Sequence, residues 1–162
     1  MKPFFTRLAA AAVLLTVSLT DAAVAGQFED GLAAYNRQDF KTVVTLWQSA
    51  GEQGDVNAQY HLGGMYLDGR GVKQDYEEAM KWLHRAADRG QAGAQDRIGV
   101  MYRDGLGVER DEVEAYMWFS LAAAGSNKFF AKDREAMAAH MSAAQIAEGA
   151  RRAKKWQAAT TR

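Results

Sequence analysis

Apolar residues at helical spacing predict two consecutive helices between residues 58 and 87. In the first helix, Ala58, Leu62 and Tyr66 fall at i, i+4 and i+8, which places them on one face. The second helix has an apolar stripe of its own at spacings of three and four residues, made of Ala79, Trp82, Leu83 and Ala86. Each helix therefore has one face that must be buried against another element.

Glycines mark where these helices end and where they approach a neighbour. Gly69 and Gly71 supply turn conformations that other residues adopt at a higher cost, so we expect the first helix to end there. Asp75 then begins the second helix, with Glu78 at the spacing of a capping box. Gly63 lies inside the first helix, where glycine costs about 1 kcal/mol relative to alanine. We expect it to admit a closely packed neighbouring helix.

The whole unit returns 36 residues further along the chain. Residues 58–87 and 94–123 are identical at half of the 30 aligned positions. The second apolar stripe recurs as Ala115, Trp118, Phe119 and Ala122. Self-similarity at this period is typical of solenoids, in which stacked hairpins bury the faces that a single hairpin leaves exposed. We predict two full repeats, at residues 55–90 and 91–125.

A shortened repeat is predicted before these two, over residues 26–54. Asp39 and Phe40 lie 36 positions before Asp75 and Tyr76, and terminal repeats that cap a solenoid are commonly atypical. Its first helix is predicted over about residues 29–36. The predicted core residues of this segment are Phe28, Leu32, Tyr35, Val43, Val44, Leu46 and Trp47.

Residues 126–162 leave the repeat pattern and predict a C-terminal cap of two helices. The first covers about residues 127–141, and its apolar residues are Phe130, Met137 and Met141. Ser142 and Gln145 have capping-box spacing and begin the last helix. The buried stripe of that helix is Ile146, Ala150, Ala153 and Trp156. Residues 26–162 are thus predicted to form a single domain.

The repeat unit resembles the Sel-one-like repeat (SLR) family, whose pattern runs roughly A-x-x-x-L-G-x-x-Y-x-x-G-x-G-V-x-x-D, then A-x-x-W and a closing A-A. The second copy has Ile98 in the leucine position. The first copy meets the pattern with Ala58, Leu62, Gly63, Tyr66, Gly69, Gly71, Val72, Asp75, Ala79, Trp82, Ala86 and Ala87. The resemblance implies an all-α fold, an α/α solenoid in which helical hairpins form a right-handed, tetratricopeptide-like superhelix with a C-terminal helix pair.

The resemblance also implies a function. Proteins of this kind are scaffolds for protein–protein contact without shared catalytic residues, and some exported relatives regulate an envelope or signalling partner. An alternative is a protein that binds or modifies cell-wall glycan or peptidoglycan, as a minority of relatives do. Those relatives are typically rich in cysteine, and this chain of 162 residues has none. The alternative would need a cleft that brings Asp104 or Glu109 close to Arg151.

Residues 1–25 have the features of a secretory signal peptide. Lys2 and Arg7 precede an apolar run of 12 residues from Leu8 to Leu19, which is short for a membrane span. An A-x-A site follows at residues 23–25, so we predict cleavage before Gly26 and a periplasmic or secreted protein. An uncleaved N-terminal anchor is the alternative. No later segment is apolar enough to cross a bilayer, and we expect a monomer.

Charge is unevenly distributed along residues 26–162. Residues 26–125 carry 10 Lys and Arg against 16 Asp and Glu, a net of −6, whereas residues 126–162 carry 8 against 3, a net of +5. Part of this excess is a candidate basic patch at Arg151, Arg152, Lys154 and Lys155. The patch could bind an acidic partner, an anionic lipid head group or a wall polymer, or its cations could simply favour the C-terminal end of a helix dipole and a solvated face. The formal net charge of zero gives no indication of nucleic-acid binding.

No catalytic or cofactor motif is found in the sequence, so we predict no enzyme activity, no cofactor and no metal. The sequences G-x-S-x-G, H-E-x-x-H, S-x-x-K and the phosphate-binding P-loop are absent. Asp68 and Asp104 could form an acid pair for glycoside hydrolysis, but aspartates beside loop glycines are typical of turns. His61 and His84 occupy positions that vary between the two copies, where we expect them to be exposed.

The candidate binding surface lies on the first helices of the repeats, away from their apolar stripes. In helical-hairpin solenoids these helices line the concave face. The candidate contact residues are Tyr60, His61, Leu67, Arg97 and Arg103. Their mixture of aromatic, apolar and cationic side chains suits recognition of a protein or peptide, although a mixed surface without a partner is the alternative.

Overall fold

The computed structural model describes residues 24, 26–125 and 128–160. Within those ranges the chain forms helices and no strand. The predicted signal peptide lies outside the described residues, apart from Val24. The helices are α1 (residues 26–36), α2 (Phe40–Glu52), α3 (Val56–Asp68), α4 (Tyr76–Ala87), α5 (Ala92–Asp104), α6 (Glu112–Ala122), α7 (Lys128–Ala138) and α8 (Ala143–Thr160). The predicted all-α class is confirmed.

The helices stack as consecutive hairpins. Within the two full repeats, α3 packs against α4 and α5 packs against α6. Successive hairpins are joined by two further contacts, one between α2 and α3 and one between α4 and α5. The last repeat helix, α6, contacts both α7 and α8. The chain is therefore an α/α solenoid whose final apolar face is covered by two C-terminal helices, as predicted.

Short polar side chains begin most of these helices, and glycines end the first helix of each full repeat. Asp75 accepts a hydrogen bond from the backbone N–H of Glu78 at 3.0 Å, and Asp111 accepts one from that of Glu114 at 3.0 Å. Gly69 and Gly105 end α3 and α5 in the left-handed conformation, with φ of 67° and 70°. The first helix of each full repeat therefore ends where a glycine can adopt the left-handed conformation.

Only one of the predicted capping boxes is complete. Ser142 and Gln145 exchange hydrogen bonds at the start of α8, at 2.9 and 3.3 Å. In the repeats, the backbone N–H of Asp75 instead donates to the carbonyl oxygen of Tyr66 at 3.0 Å, and the Glu78 carboxylate binds Lys81. Glu78 therefore does not complete the capping box and forms an ion pair with Lys81 instead.

The core is formed by the predicted stripes of the repeats. Trp82 and Trp118 are 6% and 3% exposed, and Leu83 and Phe119 are fully buried. Gly63 faces Leu83, and a Cβ built on Gly63 would lie 2.8 Å from the Leu83 Cγ atom. Gly99 faces Phe119 in the same way, with 2.7 Å to the Cε1 atom. These glycines let the two helices of one hairpin approach each other, as the sequence indicated.

The N-terminal repeat differs from its prediction in one important respect. Its helix α1 turns Gly31 and Ala34 toward the core, with Phe28 and Tyr35 half-buried beside them. Leu32, which was predicted to be a core residue, is 36% exposed. The prediction was wrong because Trp47 occupies the space above Gly31, where a Cβ would lie 2.3 Å from its Nε1 atom. The large core side chain therefore comes from α2.

Candidate functional site

A groove of about 300 Å³ opens between the first helices of three successive hairpins. Leu32 and Tyr35 come from α1, Tyr60 and His61 from α3, and Arg97 from α5. We call this site the groove, and its lining residues are Leu32, Tyr35, Trp47, Tyr60, His61, Gly64, Met65, Asp68, Arg70 and Arg97. Its volume is at the lower end for ligand pockets, which suits a few side chains of a partner.

The floor of the groove is a set of packed aromatic rings. Trp47 is 1% exposed, and its indole N–H donates to the carbonyl oxygen of Phe28 at 3.2 Å. The His61 ring lies 5.1 Å from the Trp47 ring and 5.7 Å from the Phe28 ring, measured between centroids. Rings packed in this way have little freedom to move, so the floor is preformed.

His61 is a neutral member of this floor. Burial lowers its pKa below the ordinary value for histidine, and the charge of Arg97 lowers the pKa further. The expectation that His61 and His84 are exposed was wrong, since both are half-buried. His84 packs edge-on against Trp118 at 5.1 Å, and burial lowers its pKa as well. At both of these variable positions, the histidine side chain contacts a neighbouring hairpin.

Arg97 is held on one wall of the groove by Tyr60. Its guanidinium carbon lies 5.3 Å from the centroid of the Tyr60 ring, and its Nε donates to the tyrosine hydroxyl at 3.4 Å. The end of the Arg97 side chain lies beside Gly64 of α3, since a Cβ built there would be in ordinary contact with the Arg97 Cζ atom at 3.5 Å. The terminal amino groups of Arg97 form no ion pair with any described residue.

Arg70 supplies a second cation from the glycine loop between α3 and α4. Its Nη1 donates to the Tyr35 hydroxyl, and its guanidinium carbon lies 5.8 Å from the Tyr35 ring centroid. Within the described part of the chain, Arg70 has no carboxylate partner within ion-pair distance. The groove is thus flanked by two arginines, each oriented by a tyrosine and neither neutralised by an ion pair.

Three of the five predicted contact residues meet in this groove, and two do not. Tyr60, His61 and Arg97 line it. Leu67 is half-buried and packs against the core cluster of the two full repeats. Arg103 binds the neighbouring Asp104 carboxylate through two hydrogen bonds of 2.7 and 2.8 Å. Those hydrogen bonds lower the pKa of Asp104.

Arg70, Tyr35 and Leu32 are groove residues that the sequence analysis did not select. Arg70 lies between Gly69 and Gly71, in the loop that ends α3. One signal was present, because the residue between the two loop glycines is Arg70 in the first copy and Leu106 in the second. A charged residue that replaces an apolar one in a repeated loop is a candidate for a contact specific to that repeat.

The basic patch on α8 is partly neutralised within the helix. Arg151 and Arg152 both bind Glu148 at 2.8 Å, and Arg152 also binds Glu114 of α6 at 2.7 Å. Hydrogen bonds from Arg151 and Arg152 lower the pKa of Glu148 to about 2. Lys154 and Lys155 are exposed and form no ion pair with another described residue. The arginines therefore attach α8 to itself and to α6.

A catalytic or metal-binding arrangement is not found among the residues that the structure describes. Asp104 binds Arg103 and Arg151 binds Glu148, and among the described residues neither Asp104 nor Glu109 forms an ion pair with Arg151. No cluster of three or more histidine, aspartate or glutamate side chains that could hold a metal occurs in the described ranges. In residues 24, 26–125 and 128–160, no helix has both the length and the apolar character that crossing a membrane requires.

Comparison with known proteins identifies the repeats. The Sel1 repeat model matches residues 56–91 and 92–127. A protective antigen present in uropathogenic Escherichia coli strains, which displays an SLR fold, is 30% identical with a TM-score of 0.79, over 87% of this chain and 31% of that one. A Sel1 repeat protein from Oxalobacter formigenes is 28% identical with a TM-score of 0.63, over 68% of this chain and 47% of that one. No curated protein matches the sequence.

These similarities define a helical-repeat protein with the SLR solenoid fold. The chain contains two Sel1 repeats, and its fold is similar to those of the two SLR or Sel1 repeat proteins, which confirms the resemblance stated from its sequence. It spans about a third of the length of the Escherichia coli antigen and about half that of the Oxalobacter protein.

Proposed function

We propose that this protein is a non-catalytic interaction scaffold that binds a protein or peptide partner in the groove. One observation carries the proposal. The groove crosses three hairpins and is flanked by two arginines that are oriented by tyrosines and have no ion-pair partner among the described residues. Polar groups that are held in place before binding lose little freedom on binding, which is the property expected of a recognition surface.

Capture of a partner tests this proposal. The purified protein, immobilised beside an Arg97→Ala and a Tyr60→Ala variant, is incubated with an extract of its own cells, and bound proteins are identified by mass spectrometry. We expect a partner that the original protein retains and both variants lose. A partner that all three proteins retain equally would place the contact elsewhere, and the absence of any partner would count against a scaffold.

We further propose that the protein acts in the periplasm or outside the cell, where it regulates an envelope or signalling partner. The support for the location is the sequence of residues 1–25, with its basic start, apolar run and A-x-A site, and the regulatory role follows the resemblance to exported relatives. Cleavage before Gly26 would remove Val24 from the N-terminal core cluster but leave the packing of Phe28 on Trp47. N-terminal sequencing of the protein purified from its cells should give Gly26 as the first residue, and finding Met1 would contradict export with cleavage.

The glycan-binding alternative has less support than the scaffold. Sugar rings usually stack on exposed aromatic faces, whereas Trp47, Trp82 and Trp118 are all at most 6% exposed. Trp156 on α8 is half-buried, and its ring packs edge-on against Trp118 at 5.5 Å. Co-sedimentation with purified peptidoglycan provides the comparison. Binding that is lost on replacing Arg151 and Arg152 by glutamine would favour this alternative over the scaffold.

A further inference from the structure

We propose that the groove recognises a carboxylate of an acidic peptide segment, held between the guanidinium groups of Arg70 and Arg97. This inference rests on the proposed function, because it names the chemistry of the partner that the scaffold binds. The occupant is an acidic side chain in an exposed segment of another protein, next to an apolar residue. The argument has three steps, which concern the donors, the charge and the apolar contacts of the groove.

The first step is the number of free donors. A guanidinium has five N–H groups in a planar fork that matches a carboxylate. Tyr60 takes one hydrogen bond from the Nε of Arg97, and Tyr35 takes one from the Nη1 of Arg70. Each arginine therefore keeps donors for a ligand, and each is already positioned by a tyrosine ring. A carboxylate in the groove would gain charge-assisted hydrogen bonds from these free donors.

The second step is the charge of the groove. Its lining residues include two arginines and one acid, Asp68, which gives a net charge of +1. His61 does not add to this charge at neutral pH, because burial and Arg97 favour its neutral form. One net positive charge matches the single charge of a carboxylate, whereas a phosphorylated side chain carries nearly two negative charges at neutral pH and would exceed it. We therefore assign a carboxyl group and not a phosphorylated residue.

The third step is the apolar surface beside the two arginines. Leu32 is 36% exposed and lines the same groove as Met65 and the aromatic floor. Because Leu32 lines the same groove as the two arginines, it offers a contact to the residue that follows or precedes the acid. Apolar contact supplies affinity and the arginine pair selects the acid, so neither feature alone defines the ligand.

Selection from a peptide library tests this inference and distinguishes its failure from failure of the proposed function. A displayed library of random peptides is selected on the purified protein and, in parallel, on an Arg70→Gln, Arg97→Gln double variant whose helical content and melting temperature match. We expect Asp or Glu to be enriched beside an apolar residue with the original protein only. Binders without an enriched acid would overturn the carboxylate assignment while leaving the scaffold proposal intact. Failure to select any binder would count against the scaffold itself.

The selected peptide then gives a quantitative test. Replacing its acid by the matching amide, or replacing Arg97 by glutamine, should each weaken binding about tenfold or more, and the combination should cost little beyond loss of the acid alone. Arg97→Lys keeps the charge but loses the fork, and should recover only part of the affinity. Arg110→Gln removes an exposed arginine outside the groove, at the corresponding loop of the second copy, and should change nothing. Additive losses, or tighter binding when phosphoserine replaces the acid, would refute the inference.

Discussion

Two adjacent glycines on α3 provide a matched test of how the hairpins pack. Gly63→Ala places a Cβ 2.8 Å from the Leu83 Cγ atom and 2.9 Å from its Cδ2 atom. Gly64→Ala places one 3.5 Å from the end of the Arg97 side chain, which is ordinary contact with a flexible group. Both positions lie inside the same helix and gain the same backbone preference for alanine, so their difference isolates the close packing at Gly63.

The expected magnitudes follow from these contacts. Alanine in place of glycine inside a helix gains about 1 kcal/mol of unfolding free energy. An extra carbon forced into a packed helix interface costs about 1–3 kcal/mol, and Leu83 is fully buried with little room to move. We expect Gly64→Ala to be neutral or more stable by up to about 1 kcal/mol. Gly63→Ala should be less stable than Gly64→Ala by about 1–3 kcal/mol.

Urea unfolding followed by circular dichroism measures both variants against the original protein. A difference of at least about 1 kcal/mol between them, with unchanged helical content, is the expected result. The second repeat supports the design, because it keeps Gly99 at the position of Gly63 but has Val100 at the position of Gly64. Equal stability of the two variants would refute close helix packing at Gly63.

Two further predictions concern buried groups elsewhere. Trp82→Ala or Trp118→Ala should each lose about 3–5 kcal/mol of unfolding free energy in urea melts, and a red-shifted native emission with unchanged midpoints would contradict their burial. Burial and Asp133 raise the pKa of Asp96 to about 6, against the opposing charges of Arg97 and Arg103. Its ionised form is therefore disfavoured in the fold, so Asp96→Asn should gain about 1 kcal/mol at pH 8 after allowance for solvent screening. That gain should vanish below about pH 4, where the carboxyl is protonated in folded and unfolded chains, and a pH-independent gain would exclude this explanation.

The architecture of this protein could be predicted because each element has its own local cause. The stripes of α3 to α6 repeat with a 36-residue period, and the glycines that end α3 and α5 are required by their left-handed conformation. The N-terminal helix was less predictable. Leu32 has the spacing of a core residue, yet Trp47 from α2 fills the core beside Gly31 and leaves Leu32 exposed.

The candidate site could be predicted only in part, because it is formed between hairpins. A repeat alignment shows which positions vary, but not what a neighbouring hairpin places beside them. His61 varies between the copies and is nevertheless packed on Phe28 and Trp47 of the preceding hairpin. Arg70 reaches Tyr35 across 35 positions of sequence, a contact that no local pattern indicates. Tyr60 and Arg97 were found because they lie off the apolar stripes of adjacent first helices.

Site-specific photocrosslinking in the protein's own cells tests the central proposal, that partners bind in the groove, most directly. A photoreactive amino acid replaces Leu32 at the groove or Phe129 on α7, which are both exposed, at 36% and 68%. Crosslinks to a partner are expected from position 32, absent from position 129, and strongly reduced when Arg97→Gln is added. Crosslinks from position 129 without any from position 32, or crosslinks from position 32 that Arg97→Gln leaves unchanged, would contradict binding in the groove.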